Sequence, residues 1–236
     1  MPNHITSRLK ITGEATKVAE VFNFIKADEP YKDGEYCLFD LNKLIPMPDD
    51  LDVVSSSTAE DGMKYILAMA GNIVERETYK RSEHYARMVR MEKEQPQLFA
   101  NAVAEGKKRL HNIAEYGVPD WYSWRIANWG TKWNTYESRV IDENTIEFQT
   151  AWNGIPDMVK KVAEKFPEVT IEYKYADEDW SNNVGSFIFH GDEFEVFSPE
   201  DGSAEAWEIV FELGVADRED FVQKPDGTWE YHDDED

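Results

Sequence analysis

An α+β fold is predicted from three observations. Residues 4–12 alternate apolar and polar. Residues 135–152 alternate twice about a polar break. Between these stretches, and again after the second, apolar residues recur at helical spacing.

Each element has its own signature. Ile5, Ser7, Leu9 and Ile11 fall on one face of residues 4–12 and Thr6, Arg8, Lys10 and Thr12 on the other, so this stretch is a half-buried strand that Gly13 ends. Val18, Val21, Phe22 and Ile25 recur at i, i+3, i+4 and i+7, which predicts an amphipathic helix over 14–27. Residues 28–35 (DEPYKDGE) read as a loop, Tyr36 to Leu41 as a short strand, and LIPMPDDL, with its two prolines, as irregular chain.

Residues 58–116 read as largely helical. Met63, Ile66, Leu67 and Ala70 share one face, and Leu98, Ala102 and Val103, then Leu110, Ile113 and Ala114, make two further stripes. The stretch Glu75 to Glu94 mixes both charge signs, as solvated helix faces do. Pro96 marks a helix start or a break, and Tyr116-Gly117 a helix end.

Beyond this the period returns to two. Tyr136–Ile141 and Ile146–Trp152, parted by Asp142-Glu143-Asn144, predict a β-hairpin. Pro156 opens a helix that turns Met158, Val159, Val162, Ala163 and Phe166 to the core, and Pro167 stops it. Val169, Ile171, Tyr173 and Tyr175 alternate as a strand. Phe187–Phe189 and Phe194–Phe197 are short strands joined at Gly191-Asp192, and Ala204–Leu213 is a helix with Gly214 at its end. Residues 225–227 read as a turn and 232–236 as a frayed end.

In order, 4–12, 14–27, 135–141, 145–152, 155–166 and 169–176 spell β-α-β-β-α-β, the ferredoxin-like split βαβ pattern. The expected organisation is a ferredoxin-like core from 1–27 and 135–176. A mostly helical insertion takes 28–134, and an acidic C-terminal α/β extension over 177–236 packs on the core. A rival parse begins the same pattern at residue 145 and ends it at Trp229. The first is preferred because both of its strand–helix units have clean periodicity.

Charge separates the regions. The chain has 48 Asp+Glu against 25 Lys+Arg in 236 residues, a formal −23. Residues 167–236 hold 22 of those acids and three bases, Lys174, Arg218 and Lys224. A direct nucleic-acid binder needs clustered cations and is excluded on this balance. No run approaches the roughly 18 uncharged apolar residues of a membrane span. The single cysteine, Cys37, leaves no intrachain disulfide and fits a reducing compartment, and MPNHITSRLK has no apolar leader, so a cytoplasmic location is expected.

Motifs for chemistry are weak. DWYSWRIANWGTKWN carries Trp121, Tyr122, Trp124, Trp129 and Trp133 with Arg125 and Lys132 among them. Exposed, it would stack a partner, whereas buried it would be an aromatic plug. In DEDWSNNVG, Asp177, Asp179, Ser181 and Asn183 alternate like calcium ligands. However, the sixth position is Asn182, not Gly, and the twelfth is Ile188, not Glu, so a polar loop is favoured. His190 with Asp192 and Glu193 lacks metal-ligand spacing, and neither metal nor cofactor is expected. Cys37 reads as a buried thiol. No GxSxG, Walker A, GxGxxG or HExxH occurs.

Four stretches resemble a family of phage and plasmid proteins of uncharacterised function with a YubB-type ferredoxin-like domain. They are MPNHITSRLKITG at 1–13, FDLNKLIPMPDDL at 39–51, YGVPDWYSWRIANWGTKWN at 116–134 and FQTAWNGIPDMVKKVAEKFPEVTIEYKYADED at 148–179. The resemblance implies a ferredoxin-like core and a home on mobile genetic elements. It transfers no catalytic residue and stops at residue 179.

Charge and context together lead to one expectation, a non-enzymatic acidic binding protein. It would imitate nucleic acid and occupy a basic nucleic-acid-binding host protein, such as a CRISPR effector or nuclease. The residues expected on its acidic face are Asp177, Glu178, Asp179, Asp192, Glu193, Glu195, Glu205, Glu208 and Glu212. The alternative is a protein-interaction module that binds through its helical insertion, with Trp121 and Trp124 at the contact.

Overall fold

A computed structural model describes residues 2–30, 34, 36–225 and 227–232. Parts of two expected features, the 28–35 loop and the 225–227 turn, and residues 233–236 lie outside them. The described residues form β1 (His4–Thr12), α1 (Ala15–Ile25), α2 (Leu41–Leu44), α3 (Ser57–Ala70), α4 (Ile73–Tyr79), α5 (Glu83–Glu94), α6 (Pro96–Tyr116) and α7 (Trp121–Trp129). There follow β2 (Tyr136–Asp142), β3 (Thr145–Ala151), α8 (Pro156–Lys165), β4 (Thr170–Asp177), β5 (Trp180–His190), β6 (Glu193–Phe197), α9 (Ala204–Glu212), β7 (Phe221–Gln223) and β8 (Trp229–Tyr231). The chain divides into two compact units, residues 1–46 with 128–236 and residues 47–127. The helical unit is narrower than the 28–134 read from sequence.

The larger unit is built on a six-stranded antiparallel sheet in the order β2-β3-β1-β4-β5-β6. Its first four strands, with α1 and α8, make the ferredoxin-like βαββαβ arrangement, so the fold class is α+β as expected. The rival parse fails because β8 pairs with β7 in a separate two-stranded sheet.

Register assigns the two faces. On β1, Ile5, Ser7, Leu9 and Ile11 are all fully buried. Opposite them on β4 stand Asp177, Tyr175, Tyr173 and Ile171. Val18, Val21 and Ile25 of α1 and Met158, Val159, Val162 and Ala163 of α8 complete the core. Ser7 is satisfied within it by the Tyr173 hydroxyl, 2.9 Å away, and that hydroxyl also accepts the Ile155 N–H at 2.9 Å. The other face is polar over β2, β3 and β1, and α9 packs toward β4 and β5. There Ala206, Trp207, Ile209, Val210 and Leu213 form a second core with Ala176, Val184 and Phe221.

Tyr36–Leu41 is not a strand. Its backbone groups are taken elsewhere, by α1 and by side chains before β2. Ala27 N–H donates to Cys37 C=O, Asp40 N–H to Ile25 C=O, Leu41 N–H to Asn134 Oδ1, and Thr135 Oγ1 to Phe39 C=O. Cys37 is buried all the same, with Sγ 3.1 Å from Thr135 Oγ1.

In the helical unit the predicted faces are rotated. The buried residues of α3 are Ala59, Asp61 and Gly62, and Leu67 is 53% exposed. Those of α6 are Ala102, Gly106, Arg109 and Asn112, while Leu98 and Ile113 are exposed. Contact between glycines decides this. A Cβ on Gly62 would lie 1.9 Å from Ala102 O, and one on Gly106 2.5 Å from the backbone of Gly62 and Met63. Small residues let two helix backbones meet where larger apolar ones would hold them apart. Of the two readings of Pro96 the helix start holds, and Gly117 ends α6 as expected, at φ 76°. No helix among the described residues is long and apolar enough to cross a membrane.

Candidate protein-interaction surface

The nine acidic residues expected on the exposed face stand on strands, turns and α9, and the structure sorts these nine into three kinds. Asp177 is the first and overturns its expected place on an exposed face, since it is 5% exposed. Its Oδ1 accepts from Asn3 Nδ2 at 3.0 Å and from Asp179 N–H at 2.9 Å, and its Oδ2 from Asn183 Nδ2 at 3.0 Å. Three donors leave this carboxylate a structural acceptor that locks the β4–β5 turn.

The second kind is exposed but already paired. Glu208 takes the Arg218 guanidinium, and both Glu212 oxygens accept from Lys174 Nζ at 2.8 Å. Burial pulls the Lys174 ammonium pKa down, but hydrogen bonds to Glu212 and Glu172 outweigh it and leave the group above its ordinary value. The third kind is exposed and, among the described residues, has no cation within 4 Å. It comprises Glu178, Asp179, Asp192, Glu193, Glu195 and Glu205.

These six do not form one cluster. Glu178 and Asp179 make the turn before β5, and Asp192 and Glu193 stand beyond its far end. Eleven residues of strand separate the two groups by roughly 35 Å. Asp192, Glu193 and Glu195 lie in or next to β6, and α9 shows Glu205, Glu208 and Glu212 outward at i, i+3 and i+7.

The open sheet face holds a charge row that sequence reading did not single out. Across four strands, Arg139, Glu147, Arg8 and Lys174 stand in register. Glu147 is 6% exposed and accepts from Arg8 Nη2 at 2.9 Å and from Arg139. Arg8 Nη1 also donates to Glu212 C=O at 2.9 Å, at the C-terminal end of α9, where the helix dipole is negative. A cleft of about 220 Å³ opens beside it, lined by Arg8, Lys10, Asp142, Thr145, Lys174 and Glu212 among others. The available signal was the polar alternation Thr6, Arg8, Lys10, which sets two bases on one face of a segment without acids.

Trp124 is 7% exposed and Trp129 3%, so Trp124 is no exposed contact and the stacking reading is corrected there. Trp129 Nε1 donates to Ile45 C=O at 2.9 Å. Trp121 is half-buried, with the Arg125 guanidinium 5.0 Å from its ring centre, and burial lowers the Arg125 pKa. DEDWSNNVG is not a loop throughout, since Trp180 begins β5. Among the described residues no group of three His, Cys, Asp or Glu is placed to hold a metal.

Residues 128–220 match the family model of the ferredoxin-like domain in Api92-like protein. The match supports the ferredoxin-like domain that the sequence resemblance implied, under an Api92-like description. It also carries the likeness past residue 179, through β5, β6 and α9, so the acidic residues of those elements lie inside the matched region. It omits β1, the strand that sits between β3 and β4. Among solved structures, the protein Api92 from Yersinia pseudotuberculosis matches at 10% identity with a TM-score of 0.39, over 84% of this chain and 99% of that one. No curated protein matches the chain.

Proposed function

We propose that this is a non-enzymatic binding protein that engages a basic, nucleic-acid-handling protein through its acidic C-terminal side. One observation carries the reading. Between Glu178 and Gln223 the chain has thirteen acids and a single cation, Arg218, and those on β6 and α9 are held outward on folded elements. Carboxylates at strand and helix spacing present negative charge on a backbone already ordered before binding, and they steer toward cationic channels from beyond contact distance. The partner in this reading belongs to the host of a phage or plasmid and is a defence nuclease or CRISPR effector, which the protein blocks by imitating nucleic acid. Glu193, Glu195 and Glu205 are its leading contacts, since no internal cation neutralises them and, unlike the turn residues Glu178, Asp179 and Asp192, they stand within β6 and α9.

The test is capture of host proteins on the immobilised chain at about 0.05 M and about 0.5 M salt, where screening differs several-fold. A basic nucleic-acid-binding protein held only at low salt, displaced by double-stranded DNA and lost on combined Glu193→Lys, Glu195→Lys and Glu205→Lys, is the expected result. Capture indifferent to salt and to those three changes overturns it.

A further inference from the structure

The sheet ends differently at its two edges. At β2 the pairing breaks register twice, between Tyr136 and Arg139 and between Val140 and Asp142, and Glu137 sits at φ 49°. Such breaks twist an edge strand and spoil it as a template. Those of β6 are absent: its residues pair one for one with β5, from Glu193 opposite His190 to Phe197 opposite Ser186. Its other side is the end of the sheet. Neither proline nor lysine, two common edge blockers, stands in EFEVF.

The turn decides which backbone groups are free. Gly191 and Asp192 are a two-residue connection with Gly191 at φ 63°. Such a turn makes the flanking pair His190–Glu193 exchange both hydrogen bonds, and bonding then alternates along the strand. Glu193, Glu195 and Phe197 therefore turn their N–H and C=O to β5, while Phe194 and Val196 turn theirs away from the sheet. The side chains sort by the same alternation. Phe194 continues the α8 face, 5.8 Å from Phe189 by ring centres and with Lys160 Nζ 4.9 Å from its own. Yet Phe194 is 47% exposed and Val196 51%. Glu193 and Glu195 project on the opposite face.

We infer that β6 accepts one antiparallel strand of a protein partner, with Lys or Arg facing Glu193 and Glu195 and apolar side chains facing Phe194 and Val196. This rests on the acidic-surface reading above and gives it a docking geometry. Charge complementarity selects the occupant. Neither glutamate has a cation of this chain within 4 Å among the described residues. A second copy fits poorly, because the antiparallel register that pairs all five residues sets Glu195 opposite Glu195, and like charges directly opposite repel. A Lys/Arg–apolar alternating strand satisfies the outward N–H and C=O groups, covers Phe194 and Val196 and neutralises both glutamates in one seat.

The probe is a seven-residue peptide of alternating Lys and Val, blocked at both ends and titrated into the full chain with amide exchange followed by NMR. At saturation, exchange at Phe194 and Val196 slows by about tenfold, while Val140 on β2 is unchanged. A Glu–Val peptide of the same length does not bind. Methylating the backbone nitrogens that the Lys–Val peptide turns toward β6 abolishes binding without touching the protein. Val196→Pro removes an outward N–H and no ladder bond, and weakens the peptide by about tenfold. Glu195→Lys does the same should the proline variant fold poorly. Equal binding of the Glu–Val or methylated peptide, or no protection at Phe194 and Val196, overturns the inference. A salt-sensitive partner that Val196→Pro still holds removes the strand seat and keeps the acidic surface. A Lys–Val peptide seated on β6 with no salt-sensitive partner removes the mimic and keeps the seat.

Discussion

Glu147 stands directly opposite Arg8 across β3 and β1 and accepts its guanidinium at 2.9 Å. Arg139 reaches the same carboxylate from the other side, so one nearly buried anion ties three strands. Glu147→Gln keeps the shape and removes the charge. It is expected to destabilise the chain by about 2 kcal/mol, below the roughly 3–5 kcal/mol of a fully buried broken pair, because both arginines keep access to water. Urea unfolding measures this, and an Arg8→Met, Glu147→Gln double-mutant cycle yields a coupling of about 1 kcal/mol.

Asp177 and Asp192 carry the same charge and answer differently to substitution. Asp177→Ala strands the amides of Asn3 and Asn183 and the N–H of Asp179, and is expected to cost about 2–3 kcal/mol. Asp192→Ala, on an exposed turn, stays within about 0.5 kcal/mol. Thermal melts of the two variants separate the structural acid from the surface one.

Gly62→Ala drives a methyl into the Ala102 carbonyl. Neither helix can yield without parting from the other, so a loss of about 3 kcal/mol or more is expected. Ala104→Gly on the exposed side of α6 is the control, costing about 1 kcal/mol through propensity alone. Circular dichroism during denaturation distinguishes them.

Alkali should unfold the protein earlier than neutral pH. Burial raises the pKa of the Tyr173 phenol, and pushes those of Tyr79 and Tyr136 up to about 12. The folded state thus keeps protons that the unfolded chain loses above its value of 10.0, and stability falls as pH rises beyond it. Lys174 acts in the same sense. Its ion-pair contribution is complete below 10.5 and is lost as pH rises through its higher folded pKa. Stability should be level from about pH 7 to about pH 9 and fall beyond about pH 10. Tyr173→Phe should lose about 1 kcal/mol at neutral pH, with its bonds to Ser7 and Ile155, and fall less steeply in alkali.

The sheet was legible because its strands bury one face. The alternation of Ile5, Ser7, Leu9 and Ile11 named the inward residues of β1 correctly, down to the buried serine. The inward faces of α1 and α8 were legible too, but those of α3 and α6 were not, because hydrophobic periodicity follows large side chains and α3 meets α6 through Gly62, Ala102 and Gly106, which carry almost no such signal. The first half of β5 was missed for a related reason. Trp180 and Asn183 sit at φ 54° and 50°, and WSNNVG holds too few apolar residues to alternate. Of the expected acidic face, sequence could place charge on folded elements. It could not tell that Asp177 turns inward, or that Lys174 and Arg218 cover Glu212 and Glu208, since both depend on neighbours distant in the chain or across a turn.

The two register breaks in β2 also limit stoichiometry. A sheet with two receptive edges would pass the offer of pairing from copy to copy and end as a fibre. Here the far edge is irregular, so a strand added at β6 finds no second opening across the sheet, and the assembly terminates at one guest per chain. A regular edge strand at β6 can thus stay uncovered without passing its pairing on through the opposite edge.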